Sequence, residues 1–139
     1  MNVFKVMDIT ASGLTAQRQR LNVIAENLAN ANTTRTPEGG PYVRKSVVLE
    51  SRPADDFASI LDTSQKVAVA DVTQDRDGVR MDYDPGHPDA DANGMVKLPN
   101  INPVTEMVSL TMASRTFDAN VAVFRTAKAM AMKALEIGR

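Results

Sequence analysis

The chain has 139 residues, 43% of them hydrophobic but only 4% aromatic, with no Trp and a net charge of −1. That length fits one small domain, or a small domain carried on long helices, with a core poor in large side chains. The near-neutral balance offers no electrostatic footprint for nucleic acid or a membrane surface, and the absence of Cys excludes disulfides and thiolate metal sites.

Charge is unevenly placed. Residues 1–35 hold four bases and two acids, residues 104–139 five and three, and the segment between them seven and twelve. Two mildly basic arms therefore flank an acidic, solvated middle. The apolar content leans on Ala, Val and eight Met, which suits helices packing along a long seam, where Met fills irregular contacts. The N-terminus lacks a basic region followed by an apolar run and a cleavage site, so no Sec signal is expected. No apolar run reaches the roughly 18 residues that span a bilayer. By composition alone the default compartment is cytoplasmic.

The first thirty residues read as a helix. Met7, Leu14, Leu21 and Leu28 recur every seven positions, with Val3, Thr10, Gln17 and Ile24 four before each, so both rows share one face. Phe4, Ile9 and Ala25 broaden the stripe. Thr10 and Gln17 are polar members that weaken a free two-stranded coil, and Gly13 marks a close approach or a bend. The helix is expected to end between Asn30 and Thr34, before Pro37, Gly39, Gly40 and Pro41. Asn27 and Asn30 are candidates for satisfying backbone groups at that end, against the plainer reading of solvated polar residues.

From Tyr42 to Leu49 the pattern is β-prone, and Val67, Val69, Val79, Met81 and Tyr83 alternate with polar neighbours. Asp75-Arg76-Asp77-Gly78 predicts a hairpin pairing roughly 66–74 with 79–84. Residues 50–65 read as loop with one possible helical turn at Phe57–Leu61. Asp84–Pro103 is punctuated by Pro and Gly, with a short strand at Met95–Leu98. After Pro103 a second helix begins, capped by Asn102. Its rows are Leu110, Phe117, Phe124 and Ala131, and Met107, Ser114, Val121, Lys128 and Leu135, broadened by Ala113, Ala127 and Ala134. Glu106 and Lys133 suit the helix dipole, and Gly138 is the stop.

The expected fold class is thus α+β: long N- and C-terminal α-helices, each about 45 Å, forming a coiled-coil-like layer around a small insert containing a β-hairpin. Domain bounds fall at 1–34, 35–102 and 103–139. Each helix carries an apolar stripe that pairing with the other covers on one side only. Two readings stand: a helical hairpin closed within one chain, or helices that order on assembly.

Few stretches invite chemistry. Asp89, Asp91, Asn93 and Gly94 match the first half of an EF-hand loop, which makes a calcium-responsive binding module the alternative function. The second half fails, with Lys97 and Asn100 where ligands belong, and a turn stitched by Asx hydrogen bonds is the simpler reading. His87 stands alone between Pro and Gly neighbours, too little for zinc or a catalytic triad. Asp55 and Asp56 read as solvated, and Gly39-Gly40 has no Lys-Ser or Lys-Thr helix after it to make a phosphate loop. Nothing here points to catalysis or to a cofactor.

Three stretches carry a resemblance. Residues 11–34, with Asn27-Leu28-Ala29-Asn30 at their core, resemble the N-terminal signature of flagellar rod and hook proteins. Residues 83–94, followed by Leu98-Pro-Asn-Ile-Asn102, are similar to the C-type proximal-rod family in particular. Glu106-Met107-Val108, Ser114-Arg115, Asp118–Val121 and Lys133–Gly138 fit the same family, with Met95 and Phe117 standing where Tyr is expected. The resemblance implies a structural subunit, exported by the flagellar type III apparatus without a cleaved signal, that polymerises into the periplasm-spanning rod, the drive shaft of the flagellum. It implies terminal helices forming an inner layer, with the insert outside. Implied neighbours are other proximal- and distal-rod subunits, the rod-to-ring adaptor and the membrane-embedded ring, with no nucleic acid and no small-molecule substrate. Residues and resemblance together nominate Met7, Leu14, Leu21, Ile24, Leu28, Leu110, Phe117, Val121, Phe124 and Leu135 as subunit-interface positions. The loop Tyr83, Asp84, Pro85, Gly86, His87, Pro88 and Asp89 is nominated as a contact.

Overall fold

A computed structural model of the chain describes residues 3–54, 64–75 and 78–137. The elements are α1 (Val3–Ala29), β1 (Arg44–Pro53), β2 (Gln65–Asp75), β3 (Val79–Tyr83), β4 (Met95–Pro99) and α2 (Pro103–Ile137). Two long terminal helices thus flank an insert of two antiparallel two-stranded sheets, an α+β arrangement. The expected Asp55–Asp56 pair, the turn at Phe57–Leu61 and the Gly138 stop lie outside the described residues.

α1 ends where side chains take over from the helical ladder. The Asn30 side-chain amide donates to the Glu26 carbonyl at 2.9 Å, an acceptor that the Asn30 backbone amide also reaches at 3.0 Å, and the Thr33 hydroxyl then donates to the Asn30 side-chain oxygen. At the seam, the Thr10 hydroxyl donates to the Val6 carbonyl at 2.7 Å, which satisfies a polar group without an outside partner. The chain reverses through a tight turn closed by Thr36 and Gly40, where Gly39 and Gly40 both hold positive φ, conformations that a side chain disfavours. α2 starts at the Asn102 cap, whose side-chain oxygen accepts from the Val104 and Thr105 amides, with Pro103 in the first turn.

The helices pair antiparallel within the chain. Gly13 faces Asn120, Leu14 shares a shallow cleft with Phe117, and Ile24 and Asn27 line another with Glu106 and Ser109. With Gly13 opposite Asn120, Val3 falls beside Met130, so the last two turns of α2 run past the described start of α1. The contact face of α2 is Glu106, Leu110, Ala113, Phe117, Asn120, Phe124, Ala127 and Ala131, a strict alternation of four and three. This corrects one expected row: Met107, Ser114, Lys128 and Leu135 are exposed, and only Val121 of that set is half-buried. The row that packs holds Ala113 and Ala127, small enough for close approach, Asn120 against Gly13, and Glu106, which Arg44 pairs.

The β1–β2 hairpin lies along a neighbouring side of α1. Lys45 at its base pairs with Glu26, Lys66 near its far end pairs with Asp8, and the Val67 amide donates to the Ser12 hydroxyl at 3.1 Å. Register runs from Arg44 opposite Asp75 to Pro53 opposite Gln65, with Ala70 as the extra residue of a bulge after Val48. The expected pairing of 66–74 with 79–84 does not form. β2 pairs with β1, and β3 pairs with β4 from Val79 opposite Pro99 to Tyr83 opposite Met95. Asp77 lies outside the described residues; the Gly78 carbonyl, just before β3, accepts from the Asn100 amide, and a Cβ at Gly78 would sit 3.1 Å from the Asn100 Cβ. The true β3–β4 connection is the Pro- and Gly-rich loop 84–94.

The core is small, as the aromatic-poor composition dictates. Ala31, Tyr42 and Ile101 form one cluster, and Ala16, Val23, Ile24, Val96, Ala113 and Ala127 are buried elsewhere. The largest fully buried side chains include two polar ones, Glu106 and Asn27.

Candidate assembly surface and its polar junction

Three elements meet where α1 ends, β1 begins and α2 begins. Asn27, 1% exposed, bridges the first two: its side-chain oxygen accepts from the Lys45 amide at 2.9 Å and the Tyr42 hydroxyl at 3.1 Å, and its nitrogen donates to the Lys45 carbonyl at 2.8 Å. The side chain thereby acts as one extra rung on the edge of β1. Glu106, 2% exposed, ties in the third element, its Oε1 accepting from Arg44 Nε at 2.9 Å and lying 2.7 Å from Nη2. Arg44 also donates to the Ser46 hydroxyl. A buried carboxylate is tolerated only with such a partner. Burial, with the Glu26 and Glu106 carboxylates nearby, pushes the Tyr42 hydroxyl up to about 12, and the Lys45 ammonium sits 5.6 Å from its ring centroid.

The expected interface residues fall into different settings. Ile24 is buried; Met7, Leu14, Leu21 and Leu28 are half-buried, about a quarter turn round α1 from the line joining Gly13 to Asn27. Leu110, Phe117, Val121 and Phe124 are half-buried in the helix pair, whereas Leu135, 66% exposed, lies on the overhanging end of α2. Of the motif Asn27–Asn30, Asn27 belongs to the junction, Asn30 to the helix end, Leu28 is half-buried and Ala29 exposed. Missing from the expected set is a second apolar stripe. Val104, Val108, Met112, Val123, Met130 and Ile137 are all at least half exposed and lie on the side of α2 turned away from Phe117. Their spacing in threes and fours, or sums of these, was the signal that could have revealed them.

The loop 84–94 is a closed turn system. Asp84 bonds the Gly86 amide, His87 Nδ1 accepts from the Asp89 amide, and Asp91 Oδ1 accepts from both Asn93 and Met95 amides. The Met95 and Asn93 amides hold the Asp91 carboxyl below its usual range. Asp89 accepts from the Thr34 hydroxyl at 2.8 Å, pinning the loop to the segment after α1. Gly94 is required, since its φ is +74° and a Cβ would meet the Tyr83 ring at 3.0 Å. Tyr83, Asp84, Pro85, Gly86, Pro88 and Asp89 are exposed and His87 half-buried. The calcium alternative gains no support, because Asp89 and Asp91 direct oxygens to the protein's own donors. Among the described residues no group of three or more His or acidic side chains could hold a metal.

Comparison with known proteins decides the family. A model described as flagella basal body rod protein matches residues 7–35, and one described as flagellar basal body rod FlgEFG protein C-terminal matches residues 92–137. The flagellar basal-body rod protein FlgC of Bacillus subtilis (strain 168) is 42% identical over the whole of both chains, and that of Escherichia coli O6:H1 45%. The Borreliella burgdorferi protein of the same name is 40% identical over 99% of this chain and 98% of its own. The chain belongs to the FlgC family of rod proteins. It is a structural protein of the flagellar basal body. Within this FlgC-type chain, α1 from Met7 onward lies in one matched region and β4 with α2 in the other, while residues 36–91 lie outside both. Asn27 and Glu106 come from the two matched regions; their partners Tyr42, Arg44 and Lys45 come from the segment between. The polar junction therefore fastens both shared helices to the insert, beside the Lys66–Asp8 and Val67–Ser12 links that tie α1 to β2.

Proposed function

We propose that this rod subunit assembles by docking the outer face of α2, with the open flank of α1, against the terminal helices of neighbouring rod subunits, and that its role is mechanical rather than catalytic. The observation that carries the reading is the stripe Val104, Val108, Met112, Val123, Met130 and Ile137, opposite the seam that already joins α2 to α1. A helix apolar on two faces is a helix for two neighbours. Each such side chain contributes roughly 1.5–3 kcal/mol when fully covered, before the ordering cost of association. The half-buried row Met7, Leu14, Leu21 and Leu28 extends the surface round α1. Residues 35–102 form the outward insert, with the loop 83–89 as a further contact. Neighbours in this reading are the other proximal- and distal-rod subunits, the rod-to-ring adaptor and the membrane-embedded ring. Export through the flagellar type III apparatus, without a cleaved signal, delivers the chain.

The test is Val108→Asp and Val123→Asp in the full chain. Both are expected to leave the circular dichroism and urea midpoint of the isolated protein nearly unchanged, while motility and recovery of the protein in purified basal bodies are lost. Normal recovery in basal bodies would contradict the proposal.

A further inference from the structure

All the sulfur in this chain is thioether: eight Met and no Cys. Among the described residues the exposed methionines lie on α2, apart from Met81 on β3, which is 47% exposed. Met107, Met112, Met130 and Met132 are all on α2 and all more than half exposed, whereas Met7 and Met95 are half-buried. Met112, 65% exposed, and Met130, 60% exposed, belong to the outer stripe itself, alongside Val108 and Val123. The two most exposed of these methionines therefore sit where the proposed docking surface needs to be apolar.

We infer that Met112 and Met130 form an oxidation-sensitive site through which a peroxide blocks incorporation of the unassembled subunit; this rests on the docking reading above. The sulfur lone pair attacks one peroxide oxygen, the O–O bond breaks and an S–O bond forms. The thioether is oxidised by two electrons to the sulfoxide, and the other oxygen takes up a proton and leaves as water. The product is a polar, strongly accepting group in place of a flexible apolar one. On the free chain this is harmless, since both side chains are solvated. At a helix–helix contact it must be desolvated without a prepared donor, which opposes association. Once docked, the same sulfurs are out of reach of the oxidant. Sensitivity is thus confined to the interval before incorporation, and a sulfoxide reductase acting with a dithiol reverses it, the dithiol becoming a disulfide with release of water.

The experiment treats the purified full chain with hydrogen peroxide and maps sulfoxides by peptide mass spectrometry. Met112 and Met130 are expected to oxidise several-fold faster than Met7 and Met95. Treated and untreated chains are then mixed with a second full-length rod-family protein from the same bacterium and sedimented. The untreated chain is expected to co-sediment and the treated chain to remain free. The double variant Met112→Leu/Met130→Leu, close in volume and without sulfur at those positions, is compared with its own untreated sample, and treatment is expected to leave its co-sedimentation undiminished. Co-sedimentation of wild-type chain oxidised at both positions, or equal loss by the double variant, would overturn the inference while leaving the docking reading intact. Failure of the untreated chain to co-sediment would contradict the docking reading and the inference with it.

Discussion

The two terminal helices look alike as sequences but are covered differently. α1 packs against α2 on one side and against β1 and β2 on an adjacent one, so it buries Thr10, Ala16, Val23, Ile24 and Asn27. α2 is longer, packs mainly on α1, and buries only Glu106, Ala113 and Ala127. Apolar periodicity says that a helix has a face to hide. It does not say how many neighbours the same chain supplies, and here it supplies two for α1 and one for α2.

That contrast is sharpest at the junction, where the largest effects are expected. Arg44→Ala leaves the Glu106 carboxylate buried without its cation, and is expected to cost about 3 kcal/mol in urea unfolding, the lower end for a broken buried pair because Arg44 is a third exposed. Glu106→Leu removes the need for the pair and is expected to cost less. Asn27→Ala, which strips the Lys45 backbone and Tyr42 of three hydrogen bonds, is expected to cost about 2–3 kcal/mol. On the outer face of α2 the expectation inverts: Val123→Ala and Met112→Ala change the isolated chain by less than about 0.5 kcal/mol, yet weaken assembly. If these variants destabilise the monomer as much as Asn27→Ala does, the two helices are not covered differently.

How far the sequence led depends on how local each signal was. The helices were legible because Met7, Leu14, Leu21 and Leu28, and Leu110, Phe117 and Phe124, repeat at seven and are bounded by Asn102, Pro103 and the Gly-Pro turn. The second contact row of α2 is hidden in the sequence because α2 is apolar on two faces. With Val and Met on two faces, Met107 and Leu135 look better placed in a seam than Glu106 and Asn120, although the latter pack. Glu106 read as a dipole partner because its counterpart, Arg44, lies 62 residues away, and no periodicity links the two. The hairpin at Asp77-Gly78 failed on competition: the closed loop between Asp84 and Gly94 holds β3 against β4, and β1 claims β2.

Smaller effects refine the picture. Gln17 Oε1 is buried without a hydrogen-bond partner among the described residues, so Gln17→Leu is expected to stabilise the isolated chain by about 1 kcal/mol. Calorimetry of the single variant checks this; destabilisation would show that the oxygen is solvated. The Tyr42 hydroxyl titrates near 12 in the folded chain and at its ordinary 10.0 when unfolded. The unfolded state therefore releases its proton first, and the stabilisation this group provides is complete below pH 10 and lost as pH rises through about 12. Tyr42→Phe is expected to flatten that part of the stability profile. For Asp91, whose carboxyl is held low by the Met95 and Asn93 amides, the sign reverses: its contribution is present above the ordinary carboxylate range and lost as pH falls through the lowered value. Asp91→Asn is expected to remove that acid sensitivity from the loop.

Because the chain has no cysteine, the central claim can be read directly with Val108→Cys and Val123→Cys, one thiol at a time, labelled by a maleimide in the isolated protein and in intact basal bodies. Rapid labelling of the free chain and strong protection in the rod is the predicted pair of results. Equal labelling in both states would mean that the outer face of α2 stays open to water in the rod, contrary to the account given.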